Sequence, residues 1–256
     1  MKPTLPQIIF AIGMMGLGVL TIFYGDFALN WQPVPDWWPA RRALIYISGC
    51  ALLGGGAALL WPRNAVRGAM FMGVYLAMFW VLPQVLKAVP KPASIGLWLG
   101  FFETVGVMCG AGLIWAAPRR NDAAWQLFFR LFGACCVFYG LSHFAYADFT
   151  ATMVPAWLPQ RLWLAYATGA VHIAAGLALL LAWQTRAAAW LEGLMMSSFV
   201  LLVHLPSLWS RPPPAWGPTL RTELTPLFWA SALAATALLI AWRRVVDFRT
   251  GVGSRT

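Results

Sequence analysis

Charge is the scarcest thing in this chain. Of 256 residues only 8 are Asp or Glu and 18 are Lys or Arg, a charged share of 10%, where a soluble domain carries about 25%. So small a polar inventory cannot cover a soluble core of this length, which excludes an ordinary cytosolic enzyme. A disordered chain is excluded as well, since disorder needs high charge and few apolar residues. Cysteine pairs are also missing: Cys50, Cys109, Cys135 and Cys136 form no C-x-x-C, so neither a thioredoxin-type dithiol nor a zinc site is written here. The four read as small apolar side chains in helices. Clustered positive charge is absent too. The net charge is +10, yet the basic residues stand as singles and pairs such as Arg41-Arg42, Arg119-Arg120 and Arg243-Arg244 between apolar runs. Nucleic-acid binders gather theirs on one face, so no nucleic-acid partner is expected.

What the chain has instead is apolar surface, 61% of residues with a mean hydropathy of +0.69. That composition implies an all-α polytopic membrane protein in contact with lipid. Eight runs are long enough to span: 7–25, 43–61, 67–86, 95–116, 126–147, 161–183, 187–206 and 225–243. Pro62, Pro118 and Pro206 stop spans, and Arg211-Pro212-Pro213-Pro214 cannot continue one. Trp31, Trp37, Trp61, Trp98, Trp115, Trp183 and Trp242 fall at or beside span ends, the depth of the aromatic belt. With the N-terminus inside, 11 basic residues lie on inner segments and 7 on outer ones. The bias predicts a multi-pass protein of the cell membrane with both termini cytoplasmic. The first run lacks an A-x-A cleavage site and reads as a retained span.

The second half repeats the first. Gly18 to Phe27 and Gly140 to Phe149 share G-x-x-x-x-x-Y-small-D-F. Val34-Pro35-Asp36-Trp37-Trp38-Pro39 and Val154-Pro155-Ala156-Trp157-Leu158-Pro159 then share V-P-x-W-x-P. Gly49 and Gly56 match Gly169 and Gly176; the offset is 122 in the first block and 120 afterwards. Four spans separate equivalent points, so the halves are parallel repeats. The expected units are 1–120 and 121–256, the second with a cytoplasmic C-terminal tail. The paired glycines let helix backbones approach closely. The loops after spans one and five are expected to form alike short caps on the outer end, with Asp26 and Asp148 accepting backbone hydrogen bonds in the turn.

These residues resemble a family. Gly140-Leu141-Ser142-His143-Phe144 near the end of one helix, then Val154-Pro155-Ala156-Trp157-Leu158-Pro159 leading into a helix with Tyr166 and Gly169, are similar to the four-span unit of the DoxX-like membrane proteins. The first half departs from it, with Thr21 where His143 stands. The family includes a membrane subunit of thiosulfate:quinone oxidoreductase and partners of redox enzymes. The resemblance therefore implies a membrane unit working near quinone or thiol redox chemistry, and it implies no catalytic residue.

Ionisable residues at membrane depth are functional candidates by default. Here they are Glu103, His143, His172, Glu192 and His204. His143 shares a stripe with Gly133, Cys136 and Gly140; His172 lies between Gly169 and Gly176; His204 follows Gly193, Ser197 and Val200 at helical spacing. Small residues mark the bundle-facing side. If a ligand site exists, it is expected in the second unit, open to the outer face, with His143, His172 and His204 as polar anchors and aromatic walls around a lipophilic ring such as a quinone. Haem is not expected: His143 and His204 share a depth that His172 does not, and there is no C-x-x-C-H. No metal site is expected. Glu103 lies on a glycine stripe of span four, while Glu192 lies one turn into span seven with Arg130 or Arg186 to neutralise it. Both, like Asp26 and Asp148, read as structural polar groups. Three functions stay open: an accessory or scaffold subunit with a protein partner, a quinone-interacting redox subunit, and a small-molecule transporter. The transporter lacks its best pointer, a pair of broken spans in corresponding positions.

Overall fold

A computed structural model describes residues 2–119, 121–210 and 219–243. The described chain is all-helical, and eight of its helices are long and apolar enough to cross a membrane. They are α1 (Leu5–Tyr24), α2 (Arg41–Leu60), α3 (Ala65–Ala88), α4 (Ile95–Ala116), α5 (Asp122–Ala145), α7 (Arg161–Leu180), α8 (Thr185–Ser207) and α9 (Leu220–Trp242). A short helix, α6 (Ala147–Met153), lies between α5 and α7. The protein is an integral, multi-pass membrane protein. The Pro-rich stretch 211–214, Arg120 and the C-terminal tail from 244 lie outside the described residues.

Local chemistry sets the ends. The Thr4 hydroxyl accepts from Gln7 N ahead of Pro6, and the Asn121 side chain accepts from Ala124 N. These caps satisfy backbone donors that a helix start leaves open. α9 begins five residues before the expected span, because Thr219 and Thr222 form a reciprocal capping box that draws Arg221 and Glu223 into the first turn. α3 and α8 each carry a π-turn, Ala77–Val81 and Val200–His204. In each, a leucine N–H reaches back five residues, Leu82 to Ala77 O and Leu205 to Val200 O. The next residues, Pro83 and Pro206, have no N–H to give, which is what favours the wider turn. Neither span is broken there: α3 and α8 each continue through a π-turn just ahead of a Leu-Pro pair.

Each helix packs on the next, and α9 closes the ring on α1. α4 and α9 cross in the middle and are the most buried spans, at 56% and 67% of their central windows. The packing is paired. α1 on α2 matches α5 on α7, and α4 on α5 matches α9 on α1. The close crossings pair as well. A Cβ on Gly18 would lie 2.8 Å from Gly49 O, and one on Gly56 would lie 2.9 Å from Ala11 O. In the second half Gly140 meets Gly169 O, and a Cβ on Gly176 would lie 2.6 Å from Gly133 O. Lipid supplies no hydrophobic drive between helices, so such close backbone contact is what holds them together.

The loop after α1 and the loop after α5 share one turn and differ in another. Trp38 N–H donates to Pro35 O at 3.2 Å and Leu158 N–H to Pro155 O at 3.0 Å, so V-P-x-W-x-P makes the same turn twice and leaves Trp37 and Trp157 exposed. Before that turn the loops part. Gly25 ends α1 in the left-handed region at φ 59°, a conformation alanine adopts only at a cost. Its counterpart Ala147 instead opens α6. The expectation of two alike caps is corrected to one loop with a single 3-10 turn (Leu29–Trp31) and one cap with an α-helix.

Candidate functional site

The second unit holds a buried acid–imidazole pair. His172, midway along α7, sets its Nδ1 2.8 Å from Glu192 Oε1 and 3.1 Å from Oε2. The residues are 1% and 0% exposed. A buried pair of this kind is favoured when it is neutral overall. Neutrality puts one proton on His172 Nε2 and one in the Nδ1···Oε1 bond, on whichever atom holds it. The partner expected for Glu192 was Arg130 or Arg186; the structure corrects it to His172. The reason is register: α7 and α8 are antiparallel neighbours, and each residue sits about eight positions from the turn that joins them.

Around the pair the walls are aromatic. The His143 ring stands edge-on to His172 with centroids 5.0 Å apart, and Tyr139 lies edge-on at 5.8 Å. Phe199 covers both imidazoles, 6.1 Å from His143 and 5.9 Å from His172. His143 Nδ1 is 3.0 Å from Thr168 Oγ1, whose own hydroxyl donates to Leu164 O or Ala165 O. That leaves Thr168 as the acceptor and makes Nδ1 the protonated nitrogen of His143. Rings at these distances touch one another, so nothing fits between His143 and His172. His204 lies in the π-turn of α8, about 18 Å along the helix from Glu192 by helical rise. The structure therefore joins His143, His172 and Glu192, and sets His204 further out.

The first half is built differently. The loop between α1 and α2 folds back into the bundle. Gln32, 2% exposed, donates to Ser48 Oγ at 3.0 Å and lies 3.4 Å from the Tyr75 hydroxyl. Trp31 donates its Nε1–H to Glu103 Oε2 at 2.6 Å. The Gln84 amide donates to Asn30 O, also at 2.6 Å. Trp31 stacks on Trp229 of α9 at 5.4 Å, and Trp229 stacks on Trp80 of α3 at 5.1 Å with the rings parallel within 1°. Glu103 is thus a structural polar group that fastens this loop. Sequence reasoning missed the inserted segment. The one signal was a glutamine between Trp31 and Pro33 in a loop that otherwise looks interfacial.

Beyond the end of α1 Asp26 accepts from Arg41 at 2.6 Å, from Arg221 at 2.9 Å and from Phe27 N–H at 2.8 Å. Arg221 also donates to Phe27 O. One carboxylate so ties the end of α1 to α2 and to α9 of the other half. Partial burial pushes its pKa up, but the bonds from Arg41, Arg221 and Phe27 outweigh that and hold it below the ordinary value of 3.8. The sign follows from linkage: a lowered folded pKa adds stability that is whole above the ordinary value and drains away as pH falls through the folded one. Wild type should therefore lose stability to Asp26→Asn levels only in strong acid, read as converging melting temperatures below the ordinary value. Curves that stay parallel through that range would show that the carboxylate contributes nothing. Its counterpart Asp148 is exposed in the first turn of α6 and makes no ion pair among the described residues. Anions are favoured in the first turn of a helix, and this is its structural role.

Among the described residues no group of three or more His, Cys, Asp or Glu can hold a metal. Cys109, Cys135 and Cys136 are buried and free, and Cys50 is exposed and free. An open groove along α2 and α3 and a small recess beneath Asp26 both lie elsewhere than the histidines. No curated protein matches the chain, and no solved structure does. A family model described as a domain of unknown function, DUF8561, matches residues 131–246, from the middle of α5 through α9, the stretch that carries His143, His172, Glu192 and His204.

Proposed function

We propose that the chain is an accessory membrane subunit of the DoxX-like type, with both termini cytoplasmic, that exchanges protons at Glu192–His172 for the redox chemistry of a protein partner. In this reading the halves are duplicated four-helix units, and the second has kept the site. One observation carries the proposal: a carboxyl with no solvent exposure is bonded to an imidazole at membrane depth in a chain with only 8 acidic residues. Such a pair is a poor stability device, because apolar residues of similar volume usually do as well. It is a good proton station, because a proton moves along a 2.8 Å bond without moving the backbone. The His143 ring stands edge-on beside it, 5.0 Å from His172 between ring centroids. The resemblance supports the partner, since members of that family serve redox enzymes.

The test is infrared difference spectroscopy of the protein in liposomes on transfer from water to deuterium oxide. A carboxyl band should shift as its proton exchanges, disappear in Glu192→Gln and move in His172→Asn. No exchanging carboxyl in wild type would refute proton exchange. A chain that leaves its native membrane in mild detergent without any stoichiometric companion would refute the partner.

A further inference from the structure

An open groove of about 440 Å³ lies away from the histidines, between α2 and α3. Its walls are Cys50, Gly54 and Gly55 from α2 and Arg67 and Phe71 from α3, with Asn64 at the turn between them. The two helices touch near that turn, where a Cβ on Gly68 would lie 2.8 Å from Ala58 Cβ, and further along α2 a Cβ on Gly55 would meet Met72 Cε at 2.6 Å and Phe71 Cδ1 at 3.2 Å, which form the floor of the groove. Gly54 opens onto the gap, with nothing within 4 Å of a Cβ placed there. From Asn64 to Cys50 the groove runs about 15 Å along the last turns of α2, roughly half the hydrocarbon thickness. It therefore starts at one membrane surface and ends near the middle.

The polar end of the groove carries unbalanced charge. Arg67 is exposed and pairs with no carboxylate among the described residues, and neither does Arg63 beside it. The acids nearest in sequence are occupied elsewhere, Asp36 with Arg41 and Glu103 with Trp31. The second unit has no such groove end. Ala174 and Ala175 replace Gly54 and Gly55, and Ala187 stands where Arg67 does. We propose that this groove binds one phospholipid with an anionic headgroup, its acyl chain against Gly54 and Phe71 and its phosphate on Arg67 and the Asn64 amide. An apolar slot half a bilayer deep, with a cation at the interface end, fits that ligand and not a zwitterionic one, because the headgroup must bring net negative charge.

The experiment is native mass spectrometry of the full chain from micelles doped equally with phosphatidylglycerol and phosphatidylcholine. Wild type should retain phosphatidylglycerol in preference by about fivefold, the weight of one basic residue at an anionic headgroup. Arg67→Gln should abolish the preference. Gly54→Leu, which points into open space, should lower retention of both lipids, while Ala174→Leu at the matching position should change neither. Equal retention of the two lipids by wild type overturns the proposal, as does a preference that survives Arg67→Gln. A second copy of the chain in the groove, seen as a dimer that Gly54→Leu dissolves in either lipid, overturns it too. All variants change exposed positions, and their melting temperatures should match wild type.

Discussion

Glu192→Ala should destabilise the protein by about 3–5 kcal/mol, the usual cost of leaving one member of a buried pair without the other. His172 would then keep its polar nitrogens 1% exposed, with no acceptor for Nδ1. The double variant Glu192→Met, His172→Leu should recover most or all of that loss. The first unit is the template for it: Met72 and Leu52 hold the matching positions there, both fully buried in the same core. Reversible unfolding in mixed micelles of wild type, both singles and the double gives the coupling energy directly. A double variant as unstable as either single would mean that the pair supports the fold, and would remove the main reason for seeking a function in it.

The second large effect is steric. Gly140→Leu should cost about 3 kcal/mol, the upper end for overpacking, or prevent folding altogether. A Cβ there would lie 2.5 Å from Ile173 Cγ1 and 3.0 Å from Ile173 N, and closer still to Gly169 O. Backbone atoms cannot yield as a flexible side chain can. Gly169→Leu should behave alike, since its Cβ would lie 2.8 Å from His143 Cβ and 3.2 Å from Gly140 O. Gly73→Ala is the control, with its nearest neighbour 3.9 Å away, and should melt like wild type. Equal melting of Gly140→Leu and Gly73→Ala would show that α5 and α7 do not approach as described.

Spans were legible because hydropathy over 20 residues is a sum, and sums tolerate local exceptions. Their ends were not. Hydropathy discounts Arg221, Thr222 and Glu223, whereas the Thr219 capping box makes them helix. Glycine stripes were legible because small residues at helical spacing have one main use in lipid, and each paired glycine does meet its neighbour's backbone. The partner of Glu192 was not legible. A sequence reading looks for a formal cation near the same end of the span, Arg130 or Arg186, while the true partner is an imidazole 20 residues away across an antiparallel turn. Tyr139, Thr168 and Phe199 escaped for the same reason. Nothing in their spacing reports that three helices converge on His172. Proline signalled interruption, but as a stop; that Pro83 and Pro206 widen a helix that continues depends on what their neighbours can still bond. The inward fold of Trp31 and Gln32 depends on acceptors from Ser48, Tyr75 and Glu103, which converge only once the bundle exists.

The closure of the ring through α1 and α9 makes the order of the helices along the chain nearly arbitrary. Leu5 opens α1 and Trp242 closes α9 at one membrane surface, on helices that touch. The junction from α4 to α5 spans the matching contact at the same surface with only Ala117 to Asn121 between them. A chain cut there and rejoined from Trp242 to Leu5 would start at α5, end at α4 and keep every helix–helix contact. Neither half closes a ring by itself, because the partner of each first helix is the last helix of the other. A lone four-helix unit of this design would leave two helix faces bare, and would complete itself only by pairing with another unit.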